Sequence, residues 1–185
     1  MTAPTAPSLV VMCGRSFSGK STLAAALADA LPAELVSLDA INEERGLHGG
    51  DGIPVSEWMR TNDEASARVA GLLRAGRTVV VDDTSSPRFL RDRWRRVAAD
   101  ASAHPVFVFV DAPDALIRER LRANRDAPGR HDVTDEVMDA HLSGFEPPAA
   151  DEQVITVDAR SPVDASVARV LAVLAAFPDR REAGR

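Results

Sequence analysis

At 185 residues and 45% hydrophobic composition, the chain is long enough to bury one good core and too short for two comfortable ones, so a single domain over 1–185 is expected. A formal charge of −6 and a pI near 5.2 argue against a protein built to grip a long polyanion, although a local basic groove stays open. The single cysteine, Cys13, excludes an intrachain disulfide, and its apolar neighbours suit a buried structural thiol.

The first residues lack the basic region and apolar core of a signal peptide, and no run approaches transmembrane length. A soluble cytoplasmic protein with no membrane partner is the expectation. Residues 1–7 and 178–185 read as flexible tails, and no repeat or low-complexity tract interrupts the rest.

The apolar run Leu9 to Cys13 has the length of a buried strand and leads into Gly14-Arg15-Ser16-Phe17-Ser18-Gly19-Lys20-Ser21. That stretch matches the phosphate-binding loop pattern G-x-x-x-x-G-K-[ST] at every fixed position, and Leu23 to Ala28 starts a helix directly after it. Successive backbone N–H groups must curl around a phosphate, which calls for glycine at Gly14 and Gly19. Lys20 is then a point charge for the outer phosphates and Ser21 a hydroxyl ligand for Mg2+. Ser16, Ser18 and Thr22 complete the candidate nucleotide-binding set, with ATP as the nucleotide because no Asn-Lys-x-Asp guanine signature occurs. A Gly-Ser turn in an unrelated α/β protein is the bland alternative, and the flanking strand and helix weigh against it.

After the first helix, which should stop near Leu31-Pro32, Glu34 to Leu38 reads as a second strand delivering Asp39 at its carboxyl end. Asn42 to Val55 carries five Gly or Pro residues and is expected to be a loop or short helix with a mobile connection. A helix should run from Ser56 to about Ala75, with Trp58, Ala65, Val69, Leu72 and Leu73 on one face. Thr78 to Val81 is a third strand ending in Asp82-Asp83-Thr84-Ser85. From Pro87 a basic amphipathic helix carries Arg88, Arg91, Arg93, Arg95 and Arg96, read as a solvated face before a substrate site.

Val106 to Val110 is the fourth strand, and Pro113 to about Asn124 a helix with Leu116, Ile117 and Leu121 on one side. Residues 125–133 break it, and a new helix from Thr134 follows, with Asp135 and Glu136 in its first turn. Helix, arginine-bearing loop and helix form a candidate lid, in which Arg125 or Arg130 could close over phosphates. Val154 to Val157 is a fifth strand, and Pro162 to Phe177 a last helix with Val163, Val167, Val170, Leu171 and Leu174 inward. The alternation predicts an α/β, three-layer P-loop NTPase fold: a five-stranded, mainly parallel sheet, helices on both faces and an arginine-bearing lid. His48 and His131 are single loop histidines with no partner spacing, and Trp58 and Trp94 fit apolar helix faces.

Three features make the chain resemble the small P-loop kinases of the polynucleotide-kinase, zeta-toxin and chloramphenicol-phosphotransferase group. They are Asp39 after the second strand, the run Val79-Val80-Val81-Asp82-Asp83-Thr84-Ser85-Ser86-Pro87-Arg88, and Arg120-Leu121-Arg122-Ala123-Asn124-Arg125 as a lid helix. The resemblance implies that Asp39 activates the acceptor hydroxyl, that Arg120 and Arg125 serve the phosphates, and that Asn42, Arg45, Asp83 and Thr84 meet the acceptor. The polynucleotide kinases have an Arg where this chain has Asn42, with Arg45 following later. Strand alternation selects Asp82 for Mg2+, alignment with the Asp-Thr pair selects Asp83, and Asp39 as a helix cap is the structural alternative.

The implied function is an ATP- and Mg2+-dependent kinase acting on a hydroxyl of a small molecule, be it a metabolite, nucleoside or antibiotic. A polynucleotide 5′-kinase and a non-catalytic ATP switch are the rivals; acidic charge disfavours the first, and the absence of an obvious effector domain the second.

Overall fold

The computed structural model describes residues 7–48, 52–129 and 131–176. The expected tails, Pro7 apart, and Gly49, Gly50, Arg130 and Phe177 lie outside the described residues. In chain order the elements are β1 (Ser8–Cys13), α1 (Lys20–Ala30), β2 (Glu34–Ser37), α2 (Leu38–Glu44), α3 (Val55–Arg74) and β3 (Val79–Asp82). They continue as α4 (Arg88–Asp100), β4 (His104–Asp111), α5 (Asp114–Asp126), α6 (Asp135–Gly144), β5 (Val154–Asp158) and α7 (Val163–Ala175). The strands lie in the order β2-β3-β1-β4-β5, and every described pairing is parallel.

Near-continuous apolar strands imply a sheet covered on both faces, and side-chain alternation divides them accordingly. Leu9, Val11, Val79, Val81 and Phe107 pack with Val69 and Leu73 of α3 and Trp94 and Ala98 of α4. Val10, Met12, Val80, Val108 and Val157 pack with Leu23 and Leu27 of α1 and Val170 of α7. A third cluster, Phe17, Ile117, Leu121, Val133 and Met138, joins the lid helices α5 and α6 to the phosphate loop. Among the described residues no helix is long and apolar enough to cross a membrane.

Three expectations are corrected. The second strand stops at Ser37, because the Ser37 hydroxyl accepts the Ala40 N–H at 3.3 Å and starts α2 one residue earlier than the strand pattern suggested. Val163 is 37% exposed, since the first turn of α7 borders an open cavity at the carboxyl edge of the sheet; Ser166 and Val170 are buried instead. Trp94 is fully buried, but Trp58 is half-buried and borders that same cavity.

The arginines of α4 also depart from a solvated face. Arg91 is completely buried, its Nε and Nη2 donating to Glu152 at 2.9 and 2.7 Å and its Nη1 to the Ser85 and Glu146 carbonyls. Arg95 donates to the same carboxylate at 2.7 Å, Arg93 to Asp63 and Ser66, and Arg88 to Asp151. Carboxylates distant in sequence therefore pair with Arg88, Arg91, Arg93 and Arg95.

Glu152→Ala is expected to lower stability by about 3–5 kcal/mol, because it strands a buried guanidinium. Hydrogen bonds from Arg91, with help from Arg95 and against the cost of burial, hold the Glu152 carboxyl below its ordinary 4.5. Its contribution is thus complete above that value and is lost as pH falls through the lowered folded value. Denaturant titration at neutral and acid pH checks this; a variant as stable as wild type at neutral pH would refute it.

Candidate active site

The phosphate loop leaves the central strand β1, at the point where the strand order reverses and ligands of open α/β sheets bind. Gly14 has φ +149°, and a Cβ there would lie 2.9 Å from the Val110 carbonyl oxygen, so only glycine fits against β4. The Gly14 N–H donates to the Thr84 carbonyl at 3.1 Å, which fastens the loop to the end of β3. Gly19 turns the chain into α1 with φ +98°, and Lys20 opens that helix, nearly buried at 6% exposure. Ser18 carries a buried hydroxyl without a protein partner.

A cavity of about 1020 Å3 opens above the loop. Ser16, Ser18, Gly19, Lys20, Ser21 and Thr22 line its middle. Toward the β2 edge it reaches Asp39, Asn42, His48 and Trp58, and toward the β5 edge Arg120, Asn124, Asp158 and Ser161. Asp39 lies exposed in the first turn of α2, and Ser37 rather than Asp39 provides the cap.

Adjacent acids at the end of β3 have separate surroundings. Asp82 is 7% exposed, borders the large cavity and has a buried Oδ1 with no protein partner. Asp83, equally buried, accepts a hydrogen bond from the Ser85 hydroxyl at 3.1 Å and borders a second, smaller cavity. Burial raises its carboxyl above the ordinary 3.8, against the hydrogen bond from Ser85 and the charge of Lys20. Thr84 borders both cavities. The orphaned Asp82 oxygen and the Ser21 hydroxyl are hard oxygen donors lining the same cavity, a donor set that fits Mg2+. Among the described residues no cluster of three or more His, Cys, Asp or Glu could hold a metal.

Other expected site residues have different partners. Arg120 donates to the Phe17 and Ser18 carbonyls at 3.2 and 2.5 Å and to the Ala159 carbonyl at 2.8 Å, so it braces the loop backbone from within the cavity wall. Arg125 is not among the described residues lining the cavity; it donates to Asp132, Asp135 and the Val133 carbonyl and closes the lid segment on itself. Arg45 pairs with Glu57 and donates to Thr61, whose hydroxyl donates to Asn42 Oδ1 at 2.5 Å. Asn42 therefore borders the cavity, while Arg45 supports it from behind. Carboxylates 7 to 12 residues further along the chain engage Arg125 and Arg45 in this structure.

Residue spacing did not show that two of the histidines meet. The rings of His48 and His131 stand 4.8 Å apart, one from the loop after α2 and one from the lid, and both border the cavity with His141. Cys13 behaves as expected: it is fully buried, and burial pushes its thiol up to about 12.

A phosphate loop on the central strand of this sheet, under a helical lid, defines a P-loop α/β protein with the kinase type of fold. The family model described as AAA domain matches residues 9–148, and the chain belongs to that family.

Among solved structures, an APS kinase of Mycobacterium tuberculosis superposes with a TM-score of 0.72 at 21% identity, covering 94% of this chain and 100% of that one. A sugar kinase from Janibacter sp. HTCC2649 gives 0.70 at 22%, covering 93% and 96%. A gluconokinase from Sinorhizobium meliloti 1021 gives 0.63 at 23%, covering 91% and 95%. The chain is also 30% identical over 101 residues to tRNA dimethylallyltransferase 1 of Pelobacter propionicus, a match over 44% of this chain and 33% of that protein.

Proposed function

We propose that the chain is an ATP- and Mg2+-dependent phosphotransferase that moves the γ-phosphoryl group of ATP to a hydroxyl of a small molecule. One observation carries the reading: a single cavity joins an intact phosphate loop to an exposed carboxylate, Asp39, beside room for an acceptor. The sugar kinase, the gluconokinase and the APS kinase share the fold, and their names support a small acceptor.

The loop N–H groups hold the phosphates, Lys20 neutralises charge that builds on the moving phosphoryl, and Ser21 and Asp82 would hold Mg2+. When bound, the metal supplies further positive charge to the phosphate oxygens. Asp39 orients the acceptor hydroxyl and takes its proton as the oxygen bonds to the γ-phosphorus. The bond from that phosphorus to the bridging oxygen breaks, and ADP leaves. Asp83 and Thr84 stand on the acceptor side.

Calorimetric titration with ATP tests the nucleotide and metal assignments. Affinity is expected to fall at least about tenfold in EDTA, and Asp82→Asn to reproduce much of that loss in the presence of Mg2+. Equal affinity in EDTA with no effect of Asp82→Asn would overturn the metal site.

A further inference from the structure

The second cavity, about 320 Å3, lies between the start of α3, the β3–α4 connection and the end of α6. It shares Ser16, Trp58, Thr84 and His141 with the large cavity, so a molecule in it stands next to the phosphate loop. Its walls include Trp58, Met59, Phe89, Leu90 and Phe145. Phe89 is 55% and Met59 38% exposed, two large apolar side chains left to water at the rim of a concave site.

Among the described lining residues Arg15 is the one permanent cation and is already engaged, while the Nδ1 of His141 stands 3.4 Å from the Ser16 hydroxyl. Arg15 pairs with Asp114, donates to the Ala112 carbonyl and lies over the Phe145 ring at 6.0 Å. Asp83, in the wall of this cavity, repels negative charge when ionised. Asn62 spends an amide hydrogen on the Trp58 carbonyl at 2.9 Å. An anionic acceptor in this cavity would lose its hydration, face Asp83 and compete with Asp114 for Arg15, whereas a flat apolar group would bury itself and the rim side chains together.

We propose that the acceptor is an uncharged hydroxyl compound with an apolar ring, and that the ring occupies this cavity while the hydroxyl reaches past Thr84 toward the phosphate loop. This assignment of substrate class rests on the phosphotransferase reading. A volume of about 320 Å3 accommodates one ring system with its substituents, not a polymer.

The test uses two probes that both carry vicinal hydroxyls: 3-phenyl-1,2-propanediol, neutral with an apolar ring, and D-gluconate, an anion without one. Calorimetry in the presence of MgADP is expected to give saturable binding of the diol and binding of gluconate at least about tenfold weaker. Phe89→Asp should weaken the diol at least about tenfold and Phe89→Leu by less than about threefold. ATP affinity, measured on each variant, reports that the fold is intact. No saturable diol binding, gluconate bound as tightly as the diol, or a diol affinity indifferent to Phe89→Asp would each overturn the assignment.

Mass spectrometry of the same mixtures with MgATP separates the two readings. A phosphorylated gluconate with no diol binding leaves the phosphotransferase standing and removes the apolar-ring acceptor. A diol that binds with the expected variant pattern, when wild type phosphorylates neither probe, supports the cavity assignment and counts against the phosphotransferase.

Discussion

Lys20→Ala is expected to reduce phosphoryl transfer by about 10²- to 10³-fold or more, the range for losing one preorganised charge at a developing anion. Lys20 is the first residue of α1, nearly buried at the floor of the large cavity, where low solvent access strengthens its attraction for the moving phosphoryl. The same charge favours the ionised form of Asp83, so its removal also shifts that carboxyl further toward the neutral acid. Neither change removes core volume, because the packed clusters on both sheet faces lie below the loop. Thermal unfolding should therefore move by only a few degrees. Turnover measured by ADP release with a saturating acceptor is the readout, and full activity in the variant would remove the phosphate-loop reading.

The second large effect concerns Asp39. Asp39→Asn keeps size and hydrogen-bonding shape but loses the proton acceptor, so turnover should fall by about 10²-fold or more while ATP affinity stays within a few fold. Ser37 supplies the N-cap of α2, so the cap survives the substitution and the variant should fold normally. Nucleotide titration and product formation by mass spectrometry are measured on the same preparation. Unchanged turnover would mean that Asp39 only borders the cavity. A large loss of ATP affinity would instead assign it to the metal.

Local sequence was sufficient for the phosphate loop and for the five strands and the long helices, though not for α2. A strand buried on both faces needs a short run of apolar residues, a helix needs a face at its own period, and a phosphate cradle needs glycines at positions where a side chain collides. Gly14 against the Val110 carbonyl and Gly19 at positive φ meet that last requirement directly. The acids near strand ends were legible for the same reason, since parallel strands deliver their carboxyl ends to one edge. The shift of Asp39 from the strand end to the first turn of a helix came from one residue, Ser37, whose capping hydroxyl ends the strand early.

The choice between neighbours and the choice of partners belonged to the tertiary structure. Asp82 and Asp83 are adjacent in sequence, and strand alternation sends them to opposite sides, but that one borders the large cavity and the other the small one depends on how α3, α4 and α6 pack around the end of β3. Arg91 and Arg125 look alike as exposed basic residues on helices, but a carboxylate 61 residues away buries the first and the lid's own acids hold the second. The His48–His131 contact and the apolar cavity beside Thr84 likewise join segments distant in sequence. The phosphate-loop motif and the rhythm of the elements are written in residue spacing because backbone geometry is local. Where a charge is spent and which cavity a side chain borders depend on contacts between distant segments, and the folded chain alone decides them.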